Sequence, residues 1–169
     1  DTTTISVPII SNTAAVTGPT VVCPGDLSLY SVPTWPGTYY KWTLSGGGTM
    51  LDSGLSQAVP IQWGTIPGTY TLNIVWNNIL LHCGGSATIT VQVRDKFLIG
   101  GPAGPFCIGD SSNYFSFSMF GSNASANWTV TGGTFGGPST NTTSVVIHWT
   151  TSGTQTITAV PVNAALCGN

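Results

Sequence analysis

The sequence predicts an all-β protein built as two antiparallel β-sandwiches in tandem. Three observations predict it. Short runs rich in β-branched and aromatic residues are separated by Gly, Pro, Asn and Ser, no segment carries a helical period, and one set of landmarks occurs twice in the same order. "VVCPGD" at Cys23 recurs as "PFCIGD" at Cys107, "KWTLSGGGT" at Trp42 as "NWTVTGGT" at Trp128, and "VPIQW" at Trp63 as "VVIHW" at Trp149. Spacing repeats too: 60 residues separate Cys23 from Cys83 and Cys107 from Cys167, and 21 separate Trp42 from Trp63 and Trp128 from Trp149. The offset from Cys23 to Cys107 gives a module of about 84 residues.

In order along the first copy, strands are expected at 27–32, 38–44, 57–63, 69–76 and 86–93, with turns at "PTWPG", "SGGGT", "GTIPG" and "CGG". Alternation puts Tyr40, Trp42 and Leu44 on one inner face, with Val59, Ile61, Trp63, Leu72 and Ile74 facing inward from other strands. Trp128, Val130, Val145, Ile147, Trp149 and Ile157 hold matching places in the second copy. Trp42, Trp63, Trp128 and Trp149 are therefore the expected core. Several short strands in a module of this size argue for a two-sheet sandwich of immunoglobulin type. The boundaries that follow are a terminal strand at 1–10, domain 1 at 17–93, a linker at 94–102, and domain 2 at 103–169.

Composition excludes several classes. Of 169 residues 41% are apolar and only 5% charged, with no Glu, so disorder is not expected. A net charge of -2 offers no electrostatic footprint for nucleic acid. No apolar run approaches the ~20 residues of a membrane span, and the amino terminus lacks the layout of a signal peptide, so membrane insertion is not expected and any export signal is expected to lie outside this stretch.

The motifs "GPTVVCPGD", "YYKWTLSGG", "VPIQW" and "GTYTL", closed by "CGG", resemble the PKD-like, immunoglobulin-like repeats of very large secreted surface proteins of Bacteroidota. The second copy departs from the pattern at "GPAGPFC" and at Ala126 in "ANWTV". The resemblance implies an extracellular spacer, of the sort found in gliding-motility adhesin stalks and other type IX secretion cargo, and it implies no particular ligand.

The four cysteines suit an extracellular location. Of the three possible connectivities, Cys23–Cys83 with Cys107–Cys167 is the one that respects the repeat. Each such bridge would close a loop worth roughly 4 kcal/mol in the chain-entropy picture. Zinc is not expected, since the CxxC spacing is absent and His82 has no counterpart in the second copy.

No catalytic constellation is expected either. His82 and His148 occupy non-equivalent places, and nothing in the sequence brings a nucleophile, base and orienting acid together. Asp26 and Asp110, in "CPGD" and "CIGD", read as turn residues bonding nearby backbone amides rather than as a calcium shell, and no cofactor is implied. Lys41 reads as an edge-strand lysine. Trp35, Tyr39 and Tyr40, around the turn in "PTWPGTYY", are candidate glycan contacts, and a carbohydrate-binding accessory module of a secreted enzyme is the alternative reading. The second copy does not repeat them.

The first copy's "CGGSATITVQV" ends in a strand that the second copy's "CGN" lacks, while the chain opens with an alternating "DTTTISVPII" that domain 1 does not need. Joined end to start, they rebuild the strand with one extra residue. Thr3, Ile5, Val7 and Ile9 are thus expected to complete a neighbouring copy, whether by strand donation between chains or within one continuous array. The partners expected are further copies of the repeat.

Overall fold

The structure, a computed structural model, describes every residue except Asp1, Ser6, Val7, Pro8, Ile10, Ser122 and Asn169. It is all-β and divides into two compact units, residues 1–93 and 94–169. Domain 1 contains β1 (Val21–Val22), β2 (Leu27–Ser31), β3 (Thr38–Leu44), β4 (Gly48–Met50), β5 (Ala58–Trp63), β6 (Gly68–Asn78) and β7 (Cys83–Val93). Domain 2 contains β8 (Asp95–Gly100), β9 (Ser111–Ser118), β10 (Ala126–Val130), β11 (Gly133–Phe135), β12 (Ser144–Trp149), β13 (Ile157–Pro161) and β14 (Leu166–Cys167).

Domain 1 is a sandwich of two sheets, ordered β1-β7-β6-β3 and β2-β5-β4. The period-two patterning is obeyed: Tyr40 and Trp42 from β3, Leu72, Ile74 and Trp76 from β6, and Val91 and Val93 from β7 meet Tyr30, Val59, Ile61 and Trp63 of the other sheet in one buried cluster. Leu44 packs against its margin. Trp42 also donates its indole N–H to the Ser56 carbonyl at 2.8 Å, so the ring is buried without an orphaned donor. β3 is an edge strand and Lys41 points outward from it, as a charge that discourages edge pairing should.

The β6–β7 hairpin is longer than the sequence suggested, because Cys83, Gly84 and Gly85 belong to β7 rather than to a turn. Gly85 is required there: a Cβ would lie 2.1 Å from the Asn12 carbonyl oxygen and 2.6 Å from the Trp76 ring. Ala14 and Val16 pack on the same core, so domain 1 begins before residue 17.

Domain 2 has sheets ordered β11-β12-β9-β8-β14 and β10-β13. Its core holds Phe97, Tyr114, Ala126, Trp128, Val145, Ile147 and Trp149. Residues 94–102, expected as a linker, are corrected by this fold: β8 pairs antiparallel with β9 from Phe97↔Ser118 to Gly100↔Phe115, and Phe97 is a core residue. Three adjacent apolar residues in "KFLIGG" carry that strand.

The expected disulfide pairing is also corrected. Cys83 and Cys107 are free thiols, whereas Cys23 and Cys167 are in the disulfide state. The fold forbids the Cys23–Cys83 bridge. Cys23 follows Val22, which pairs with Val93 at one end of β7, and Cys83 opens β7 at the other end. The strand between them spans on the order of 30 Å, whereas a disulfide needs Cα atoms within about 7 Å. In domain 2, Cys107 precedes the start of β9, while Cys167 pairs with Lys96, next to the Phe97 that meets the end of β9. They too lie at opposite ends of their sandwich.

Candidate functional site

The two copies differ at one edge. In domain 1, β6 is flanked by β3 on one side and by β7 on the other, the latter in continuous register from Gly68↔Val93 to Asn78↔Cys83. In domain 2 the equivalent strand, β13, pairs with β10 along Ala126↔Pro161 to Val130↔Ile157 and has no strand on its other side among the described residues. "GTYTL" and "GTQTI" place Leu72 opposite Ile157 in the repeat, and hence Ile74 with Ala159 and Trp76 with Pro161. Leu72, Ile74 and Trp76 are buried, whereas Ile157, Ala159 and Pro161 are half-exposed.

The uncovered edge opens into a cavity of about 470 Å³, lined by Phe106, Tyr114, Trp149, Gln155 and Ile157 among others. Domain 1 shows what fills the matching volume: Val91 lies across from Tyr70 and Val93 across from Gly68, both fully buried. Gln155 and Gly153 hold those places in domain 2 with nothing across from them among the described residues. Phe106 has moved over the Trp149 ring, stacked at 5.8 Å and 12°, and gives the indole partial cover. An exposed ladder of backbone donors and acceptors beside an unfilled apolar slot has the chemistry to pair with an added strand.

Thr3, Ile5, Val7 and Ile9 are the residues expected to complete a neighbouring copy. Thr3, Ile5 and Ile9 lie outside any strand, and Ile5 and Ile9 are 81% and 87% exposed. Val7, the remaining member of that expected set, lies outside the described residues.

The other candidate residues resolve into structural roles. Asp26 and Asp110 close matching turns, each carboxylate accepting from the amide of the preceding cysteine at 2.7 Å (Cys23) and 2.8 Å (Cys107). Gly25 and Gly109, at φ +85° and +96°, supply the left-handed residue those turns need. His148 is exposed, as alternation placed it, and its Nδ1 is 2.6 Å from Ser111 Oγ. Among the described residues no three of His, Cys, Asp or Glu gather where a metal ion could be held.

The glycan-contact set is corrected. Tyr40 is buried, donating to the Pro33 carbonyl and accepting from the Trp35 amide, and Trp35 packs on Trp76 at 5.7 Å. Only Tyr39 presents an open ring, because consecutive strand residues point to opposite faces. A three-ring sugar platform is not formed.

The fold defines a tandem immunoglobulin-like β-sandwich protein. Residues 9–93, half of the chain, match the PKD-like domain family, and the chain belongs to that family. Among solved structures it is similar to the titin domains Z1Z2, crystallised in complex with telethonin, at 12% identity and a TM-score of 0.29, over 95% of this chain and 100% of that one. At that score the likeness carries no argument. No curated protein matches.

Proposed function

We propose that this chain is a non-catalytic structural segment of an extracellular bacterial filament or adhesin stalk, in which successive copies complete one another by strand addition. The carrying observation is the uncovered β13 edge and its cavity, set against the same strand in domain 1, which β7 covers and fills. Residues 1–10 of the next copy supply the strand, whether copies follow one another in one polypeptide or meet as separate chains. PKD-like membership and the disulfide state of Cys23 and Cys167 support a spacer role outside the reducing cytoplasm. The surface carries few charges and many Thr and Ser residues, which suits faces covered by neighbours in a fibre.

Moving residues 1–10 from the amino terminus to follow Asn169 tests the reading. The rearranged chain should be a monomer with a higher melting temperature than the original, and a polar substitution at Ile5 should remove the gain. A rearranged chain no more stable than the original would overturn strand completion and the array with it.

A further inference from the structure

We infer that Cys107 of one copy and Cys83 of a second copy form a disulfide that locks the junction between successive copies. The inference rests on the array reading above and adds a covalent bond to it.

Both thiols are free and reachable, Cys107 exposed and Cys83 half-buried. Their repeat equivalents are Cys23 and Cys167 respectively, and both of those are in the disulfide state. The repeat therefore uses each of these two positions as a disulfide partner elsewhere in the same chain. Their placement fits a junction. The chain leaves domain 1 at Val93 and enters domain 2 at Asp95, with Arg94 alone between. Cys23 and Cys167 each sit at the end of their own domain near that connection, and Cys83 and Cys107 each sit at the opposite end. A following copy would meet domain 2 at the Cys107 end, and would present its own Cys83 end.

A second feature marks the same two ends. Leu80 and Leu81, just before Cys83, are 70% and 48% exposed, and Phe106 and Ile108, on either side of Cys107, are 37% and 63% exposed. Apolar collars around both thiols are surfaces that a second copy would cover. Each thiol is also held in place. Asn78 is buried and fixes the hairpin before Cys83 by donating to Pro36 O and Thr38 Oγ1 and accepting from the Leu80 and Leu81 amides. The Asp110 carboxylate holds the Cys107 amide.

The bond needs an oxidant, and a small-molecule disulfide such as oxidised glutathione, or a dithiol oxidase of the exported compartment, supplies it by exchange. The Cys107 thiolate attacks one sulfur of the oxidant and expels the other as a thiolate. The Cys83 thiolate of the second copy then attacks the mixed disulfide at Cys107 and expels the remaining oxidant thiolate. Two protein thiols are oxidised, one disulfide is reduced to two thiols, and the two protons released by the cysteines end on those leaving groups.

The test compares Cys83→Ser and Cys107→Ser chains, separately and mixed, by non-reducing electrophoresis and peptide mapping after incubation with oxidised glutathione. The unaltered chain should give a covalent ladder, each variant alone should lose it and remain monomeric, and the mixture should give a heterodimer with Cys107 linked to Cys83. Dimers from either variant alone, or a Cys83–Cys107 link confined to single chains when light and isotopically heavy chains are mixed, would overturn the inference. Sedimentation before the oxidant is added reads strand docking separately. Association without a covalent link overturns the disulfide and leaves the array standing, and neither one overturns both. A heterodimer link without prior association supports the disulfide and counts against strand docking.

Discussion

Leu72 and Ile157 hold the same place in their repeats and face equivalent cores, but Leu72 is closed over by Ile89 across the β6–β7 ladder, whereas Ile157, paired with Val130 on one side, has no strand on its other side among the described residues. Truncation to Ala should therefore cost different amounts at the two sites. Leu72→Ala should destabilise domain 1 by about 2–5 kcal/mol, the range for emptying a closed core site. Ile157→Ala should cost clearly less, because part of that side chain already meets water. Adding a peptide of residues 1–10 should raise the cost at Ile157 and leave Leu72 unchanged. Denaturant titration with hydrogen exchange resolved by domain checks this, and equal costs without the peptide would count against the open edge.

Trp42 and Trp128 fill equivalent core sites, and each indole donates to a carbonyl, of Ser56 at 2.8 Å and of Thr142 at 3.2 Å. Replacement by Ala should cost about 3–5 kcal/mol at either site. Replacement by Phe keeps most of the apolar bulk and leaves the carbonyl without its donor, so a cost of about 1–3 kcal/mol is expected. Urea unfolding of the four variants measures both steps.

Tyr39 and Tyr40 are neighbours with opposite fates, and that separates a spacer from a lectin. Tyr39→Ala should leave stability within about 0.5 kcal/mol, as for most surface changes. Tyr40→Ala should be strongly destabilising, since the ring is buried and its hydroxyl joins Pro33 to Trp35. A glycan array on which the intact chain binds a specific sugar, and the Tyr39→Ala chain does not, would favour the carbohydrate reading.

The sandwich strands and the four core tryptophans were legible because alternation and repetition report burial directly. What failed was the cysteine pairing, which rested on the repeat alone, and a count of strand crossings would not have rescued it. Between Cys23 and Cys83 the sequence shows four strands, an even number, which returns the chain to the end of the sandwich where it began. The structure adds β4, three residues inside the glycine-rich "SGGGTM", and a fifth crossing leaves Cys83 at the far end. A strand that short has too few alternations to stand out from a turn, yet it decided the cysteine pairing. The difference between the copies was legible for another reason: the first carries "SATITVQV" after its second cysteine, and the second has no such run within this sequence. The Phe106 ring over Trp149 had no such signal, because domain 1 carries Val22 in that place.

Tyr30 supplies a pH dependence. It is fully buried, its hydroxyl donates to the Pro19 carbonyl at 2.9 Å, and its ring meets Trp63 edge-on at 6.2 Å. Burial raises the phenol above its usual value of 10.0, because the phenolate would lose its hydration inside the sandwich. The neutral phenol is therefore favoured by folding, and the sign follows from linkage. Below the unfolded value the contribution is fully present. As pH rises past about 10 the unfolded chain releases this proton more readily than the folded one, and stability falls until the folded group also ionises. Tyr30→Phe should lower stability near neutral pH, since the Pro19 carbonyl loses its donor, and should flatten the fall above pH ~10. Stability measured by urea unfolding from about pH 8 to 11 reads both effects. An equally steep alkaline fall in the Phe variant would show that other groups set it.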